Sequence, residues 1–351
     1  MKRNIMSGIG MFLAAMLLVS MAFIPAVSAE ALSQGTSPEI VNTEQPELIP
    51  EPLPTVGSAS TIEQNPFWYL IEANKEEQKT LLKYIDNSYV SNKEKQEMKK
   101  AMKDIWKRYP DQITENDNIV LERVAKATAE YLNDVYGKKD VEVAWSPDKV
   151  HDNITRISVT KWGVSSYYAG IAGLASLLPD DWDSGFWQSW HHYYNPYFGT
   201  GNAPTNANYY AGIARTNYIS GSYNTAYTNL GYSSHYLSDV GNPLHTGMEQ
   251  EQIENQWVHY NYESYVSGNW TSGYNFKSIV DNNNNYYVIT DPKQSTKDLA
   301  TFSNSDLSNL YYLIYFHPDT WQTMDDVKTI TERVLLKTAK YNLGLVKYMR
   351  S

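Results

Sequence analysis

Two pairs of a histidine and a carboxylate lie close together in the second half of the chain. His235 precedes Asp239 by four residues, His259 precedes Glu263 by four, and His245 lies between the pairs. Residues four apart on a helix share one face, so each pair can direct an imidazole nitrogen and a carboxylate oxygen at one ion. Zinc binds both kinds of ligand. One pair alone would be read as a surface ion pair, but two pairs and a third histidine, in a chain with 7 histidines, favour a metal site.

The spacing from His235 to Glu263 resembles the zinc-binding pattern of the bacterial zinc-dependent phospholipases C, a family that includes clostridial alpha-toxin. The flanking residues from Leu230 to His245 also resemble the block around the corresponding ligands of this family. The related single-strand-specific zinc nucleases share the first three ligands, but they generally differ in the spacing of the last pair and end it with Asp. Glu263 in this position therefore favours the phospholipase branch.

The resemblance also implies ligands upstream of this segment. The family has a carboxylate and a histidine about a dozen residues apart, and Asp180 and His192 are the corresponding residues here. Three neighbours are alternative occupants of these positions, namely Asp181, Asp183 and His191.

The last ligands that the family implies are an N-terminal tryptophan, bound through its own amine and carbonyl, and a histidine that opens a helix. Trp145 and His151 match these positions best, but 144 residues precede Trp145, and an internal residue has no free amine. A maturation protease that cuts before Trp145 would create this amine and would make the preceding segment a propeptide. Alternatively, this metal position is altered and His151 alone binds.

The resemblance implies three zinc ions in one polynuclear site. The first would be held by His245, His259 and Glu263. The second would be held by Asp180, His192, His235 and Asp239. The third would be held by Trp145 and His151, with Asp239 as a bridge.

The implied reaction is phosphodiester hydrolysis by a metal-activated water, with Asp180 as the general base. The implied substrate is a phospholipid at a membrane interface, so we expect a phospholipase C-like hydrolase. Aromatic residues between Trp182 and Tyr197 could cage a choline ammonium, rest at a bilayer, stack a base or simply pack the domain. Two alternatives remain, a single-strand nuclease or nucleotidase and a non-catalytic zinc-stabilised surface-binding module.

The elements that must position these residues are predicted to be helices. Apolar residues recur at helical spacing, whereas the alternation typical of strands is weak. We expect helices around residues 150–177, 203–219, 223–240, 250–267, 303–315 and 322–348. The sequence therefore predicts an all-α fold, with a multi-helix bundle over residues 145–351 that holds the zinc site.

Three further segments precede this bundle. Residues 1–29 have basic residues, an apolar run and small residues before Ala29, which is typical of a cleaved signal peptide and predicts a secreted protein. Residues 30–66 are rich in Pro and Glu and are predicted to be a disordered linker. Residues 67–144 have three or four amphipathic helical segments and are predicted to form a separate small unit, the propeptide.

Composition excludes several other classes of site. The chain has no cysteine, so disulfides, thiolate nucleophiles and cysteine-ligated metals are excluded. Its formal charge of −10 argues against a nucleic-acid partner, because such affinity comes largely from Lys and Arg. The sequence has no Ser–His–Asp nucleophile elbow, P-loop or dinucleotide fingerprint.

Overall fold

The computed structural model describes residues 46–55, 65–109, 113–137, 150–182, 189–247 and 256–351. Almost all of the regular structure in these ranges is helical, which confirms the predicted all-α class. The predicted signal peptide, Trp145 and the junction before it lie outside the described residues.

The described residues of the N-terminal part form four helices. They are α1 Trp68–Ile71, α2 Lys75–Asn87, α3 Asn92–Arg108 and α4 Glu115–Tyr136. The three longer helices each begin with a capping box, in which a polar side chain and the carboxylate three residues later satisfy each other's backbone N–H groups. The capping residues are Asn74, Ser91 and Thr114. These local signals explain why the helical segments of this part are evident from the sequence.

In the part that holds the predicted ligands, the described residues form nine helices. They are α5 Val150–Lys161, α6 Ser166–Ala175, α7 Leu178–Trp182, α8 Ala203–Ile219, α9 Tyr223–Asp239, α10 Gln256–Gly268, α11 Lys277–Asn282, α12 Pro292–Phe316 and α13 Asp325–Arg350. The predicted helix over residues 150–177 is in fact two, because the chain turns at Gly163, whose φ of 72° favours glycine. Helix α9 packs against α6, α8 and α13, so its ligands lie in the interior.

The N-terminal helices share a hydrophobic core with α10, α12 and α13. A second core forms between α6, α8, α9 and the end of α13. The prediction of a separate small unit over residues 67–144 is therefore wrong for the described residues 67–137, which belong to the same compact unit as the helix bundle. Helical periodicity shows that a segment has an apolar face, but it does not show which distant face covers it.

Part of the predicted disordered linker is ordered. Strand β1, Ile49–Glu51, pairs in parallel with strand β2, Asn285–Tyr287. Glu51 also forms an ion pair with Lys340 of α13 at 2.9 Å. The prediction of disorder over residues 30–66 is thus corrected for this strand, because its order comes from a partner more than two hundred residues away and not from local composition.

Among the residues that the structure describes, no helix combines the length and the apolar character needed to cross a bilayer.

Candidate metal centre

Helix α9 and the turn after it carry three of the predicted ligands. His235 and Asp239 lie on the last turns of α9, and both side chains are buried. Asn242 then caps a short 3-10 turn, Pro243–His245, by accepting a hydrogen bond from the Leu244 N–H at 3.1 Å. This turn folds the chain back so that His245 approaches α10.

Helix α10 carries the second pair, and with His245 it forms what we call the His245 cluster. His259 Nε2 lies 2.7 Å from Glu263 Oε1. His245 Nε2 lies 3.1 Å from the same oxygen and 2.9 Å from His259 Nε2. One helix and one turn thus place two imidazoles and a carboxylate around a single point.

A second group, the His192 cluster, consists of Asp180, His192 and His235. His235 Nε2 lies 2.9 Å from His192 Nδ1 and 3.4 Å from Asp180 Oδ1. Asp180 comes from α7, and His192 follows a 3-10 turn at 189–191. Three separate segments therefore meet at this point, which only the packing of the bundle can arrange.

The third group, the His151 cluster, consists of His151, His235 and Asp239. His151 Nε2 lies 3.3 Å from Asp239 Oδ1, while Asp239 Oδ2 lies 2.8 Å from His192 Nδ1. Asp239 thus directs one oxygen at each of two clusters, which agrees with the bridging role that the family resemblance implies. His235 borders both clusters as well, although the family resemblance implies that it binds one ion alone.

Every predicted ligand in the described part of the chain lies in one of these clusters. In each cluster the ligand atoms lie within 4.8 Å of one another. Of the alternative occupants, Asp183 lies outside the described residues, as Trp145 does. His191 and Asp181 are described but belong to no such cluster among the described residues, so the geometry favours the assignments to Asp180 and His192.

Backbone carbonyls orient two of the imidazoles. His235 Nδ1 lies 2.7 Å from the carbonyl oxygen of Ser176, at the end of α6. His245 Nδ1 lies 3.0 Å from the carbonyl oxygen of His192. An Nδ1–H that donates to a carbonyl leaves Nε2 with its lone pair toward the cluster, which is the arrangement of zinc-binding histidines. The role of Ser176 has no signal in the sequence, because a carbonyl oxygen is common to every residue.

The donor set fits a borderline divalent cation such as zinc. All donors are imidazole nitrogens or carboxylate oxygens, and each cluster combines the two. Glu263 is 3% exposed, and its Oε2 is buried without a hydrogen-bond partner among the described residues. A buried carboxylate oxygen in this position is costly unless a cation neutralises it. This oxygen is the observation that best indicates a metal at the His245 cluster.

The electrostatics of the site favour cations. Burial alone would lower the pKa of His235, but the two adjacent aspartates raise it well above its ordinary range. Burial alone would raise the pKa of Glu263, but the two imidazoles beside it lower the pKa to about 2. Carboxylates that stabilise the positive charge of an imidazolium also stabilise a divalent cation. The cation must displace the proton on the ring nitrogen that binds it.

A cavity of about 300 Å³ lies beside the clusters. Its lining residues are mostly aromatic and comprise Trp182, His191, Asn206, Tyr210 and Tyr236. The Tyr236 ring lies 5.2 Å from the His192 ring and 5.3 Å from the His235 ring. Asp180, whose side chain is 26% exposed, is more open to solvent than Glu263 or Asp239. Solvent can therefore reach the clusters on the Asp180 side.

Solved structures similar to this chain include clostridial alpha-toxins. The alpha-toxin from Clostridium absonum is 18% identical with a TM-score of 0.43, and the match covers 60% of this chain and 65% of the toxin chain. The alpha-toxin isolated from the avian Clostridium perfringens strain SWCP is 15% identical, with the same TM-score and coverage. The match thus spans just under two thirds of these toxins. Comparisons with protein-family models and with curated protein sequences find no match.

Proposed function

We propose that this protein is a secreted zinc-dependent phosphodiesterase of the phospholipase C type. The observation that carries the proposal is the convergence of three imidazole–carboxylate clusters, with a buried carboxylate oxygen left for a cation, beside an aromatic cavity. The ligand spacing that resembles the zinc-dependent phospholipases C supports it. The signal-like N-terminus supports export.

We propose a role for each cluster. His245, His259 and Glu263 would hold one zinc, and the remaining ligands would hold two more. Bound zinc would supply Lewis-acid activation of the phosphoryl group and a nucleophile at neutral pH. Asp180 is the partly exposed carboxylate of the group, which supports our proposal that it accepts a proton from an attacking water.

The proposed substrate is a phospholipid at a membrane surface. Leu174, Leu178 and Trp182 are exposed large apolar residues at the end of α6 and along α7, the helix that carries Asp180. Exposed apolar side chains next to a site suit a lipid surface better than the phosphate backbone of a nucleic acid. The formal charge of −10 also disfavours a nucleic-acid partner.

A maturation cut before Trp145 belongs to the proposal. It would give Trp145 a free amine that can join His151 and Asp239 in the third zinc position. N-terminal sequencing of the exported protein tests this directly, and a mature chain that begins elsewhere would contradict it.

The activity is tested with the purified zinc-loaded protein on phosphatidylcholine vesicles and on single-stranded DNA side by side. We expect diacylglycerol release, and we expect the His235→Ala variant to lose both this activity and zinc. His317→Ala is the matched control, because His317 is exposed and belongs to none of the three clusters. Equal zinc content in wild type and His235→Ala would refute the metal site.

The aromatic cavity makes a nuclease the second candidate, because aromatic rings also stack bases. Cleavage of DNA with no release of diacylglycerol would favour that function. Zinc-dependent folding with turnover of neither substrate would favour the non-catalytic binding module.

A further inference from the structure

The N-terminal helices bury large aromatic residues against the helix bundle. Trp68 and Tyr69 are 1% and 2% exposed. The Trp68 ring lies 5.8 Å from the Tyr311 ring, and the Tyr69 ring lies 5.2 Å from the Tyr315 ring, both on α12. Tyr84 of α2 also donates a buried hydrogen bond to the Tyr315 carbonyl at 2.9 Å. Loss of these helices would expose a large apolar face of α12 to water.

Helix α4 makes a more specific contact, because it caps the helix that carries two predicted zinc ligands. The backbone N–H of Trp257 is in the first described turn of α10, where it has no acceptor within its own helix among the described residues. Asn133 Oδ1 of α4 accepts this N–H at 3.1 Å. An asparagine oxygen is a preferred acceptor for such a group, but here it comes from a residue 124 positions earlier in the chain.

Two further contacts hold the same end of α10. The side-chain N–H of Asn261 donates to the Tyr136 carbonyl of α4 at 3.0 Å. The Tyr136 ring lies 5.5 Å from the Trp257 ring. His259 lies between Trp257 and Asn261, so α4 fixes the turn of α10 from which this ligand projects.

The segment before the helices has its own attachment. Strand β1 pairs with β2, and Glu51 is held by Lys340 of α13. The hydrogen bond from Lys340 is the main cause of the lowered pKa of Glu51. The N-terminal segment is thus bound at both of its described ends, at β1 and at α4.

We call the helix bundle from residue 150 onward, which carries the three clusters, the zinc domain. We propose that residues 46–137 are a permanent structural subunit of this domain and not a propeptide that leaves it. A cut before Trp145 would free the amine of that residue, while the N-terminal segment would stay bound without a covalent link. In this arrangement Asn133 is a positioning residue for the His245 cluster, because it fixes the start of α10. The inference concerns folding and zinc binding, so it does not depend on which phosphodiester is the substrate.

The first test uses the full chain with a site-specific protease recognition sequence placed between residues 138 and 144. After cleavage, size-exclusion chromatography without denaturant should show both pieces in one peak at equal amounts, with the zinc content unchanged. Separation of the two pieces under these conditions, with zinc retained by the larger piece, would overturn the proposal.

The second test measures the positioning role of Asn133 in the uncut chain. We expect Asn133→Ala to weaken zinc binding at the His245 cluster by about tenfold, measured by competition with a chromophoric chelator. Asn133→Asp keeps the capping oxygen and should restore most of the affinity. Asn87→Ala is the matched control, because Asn87 is an exposed asparagine of α2 that bonds only within the N-terminal helices in the described contacts.

Circular dichroism separates a local effect from unfolding in this second test. A folded Asn133→Ala variant with the zinc affinity of the wild type would contradict the positioning role. If Asn133→Ala does not fold while Asn87→Ala does, the N-terminal segment is still required by the zinc domain, and the cleavage experiment decides whether it stays bound.

Discussion

At the scale of single residues, each ligand side chain has two polar atoms, and the contact of the second atom orients the first toward a cluster. His235 and His245 use Nδ1 to reach backbone carbonyls, and each is left with Nε2 for the cluster. Asp239 divides its two oxygens between two clusters. Glu263 instead has one oxygen between two imidazoles and a second, buried one that has no hydrogen-bond partner among the described residues. Glu263 is therefore the ligand whose charge most needs a cation.

Replacement of Glu263 by glutamine should weaken zinc binding by at least about tenfold, because an amide keeps the shape of the side chain but has no negative charge. Competition with a chromophoric chelator measures the change in Kd. Glu130→Gln on the exposed side of α4 is the control and should bind zinc like the wild type. An unchanged Kd in Glu263→Gln would remove Glu263 from the set of ligands.

At the scale of elements, the close approach of α6 and α9 decides where His235 lies. Gly231 is one turn before His235, and a Cβ at this position would overlap the Ala172 carbonyl oxygen of α6. The absence of a side chain lets the two helices approach closely. The same approach brings the Ser176 carbonyl to His235 Nδ1. The glycine thus contributes to the site through helix packing, without contact with a metal ligand.

The Gly231→Ala substitution should lower the free energy of unfolding by about 1–3 kcal/mol, because α6 must move away from α9. Urea denaturation measures this change. Gly212→Ala in α8 is the control, since a Cβ there meets no atom within 4 Å, and it should be neutral or stabilise by up to about 1 kcal/mol. If both variants unfolded at the same urea concentration as the wild type, the close-packing argument would be wrong.

At the scale of the whole molecule, the fold brings several buried charged groups to one place without a disulfide to secure it. Four helices, α5, α7, α9 and α10, and two 3-10 turns position the described ligands, and the chain has no cysteine. Repulsion among carboxylates and the desolvation of buried charges oppose this assembly. Bound zinc would offset both effects and would link the elements in place of a disulfide.

Chelation should therefore lower the Tm, whereas a reducing agent should not change it. Zinc at a thousandfold excess over its Kd stabilises the folded state by about 4 kcal/mol, and EDTA removes this contribution. Differential scanning calorimetry with EDTA, with a thiol reductant and with neither measures both effects. A Tm that is insensitive to EDTA would show that the fold does not depend on the metal.

The amino-acid sequence by itself determined the helical class and the candidate ligands. Helical spacing and capping residues are local, so most helices can be predicted from neighbouring residues alone. The pairs His235 with Asp239 and His259 with Glu263 are local in the same way, because a helix places residues four apart on one face. The spacing of His245 between the pairs completed a pattern that could be recognised without coordinates.

Only the tertiary structure decided which distant parts of the chain these local elements contact. It placed His235 between two clusters, gave its Nδ1 a carbonyl from α6, and ordered β1 through a strand far along the chain. It also joined the N-terminal helices to the helix bundle that carries the three clusters, with Asn133 as an acceptor for the first turn of α10. These features have one physical reason in common. Each depends on a hydrogen-bonding group or an apolar surface that is distant in sequence, and the local pattern of a segment does not identify its partner.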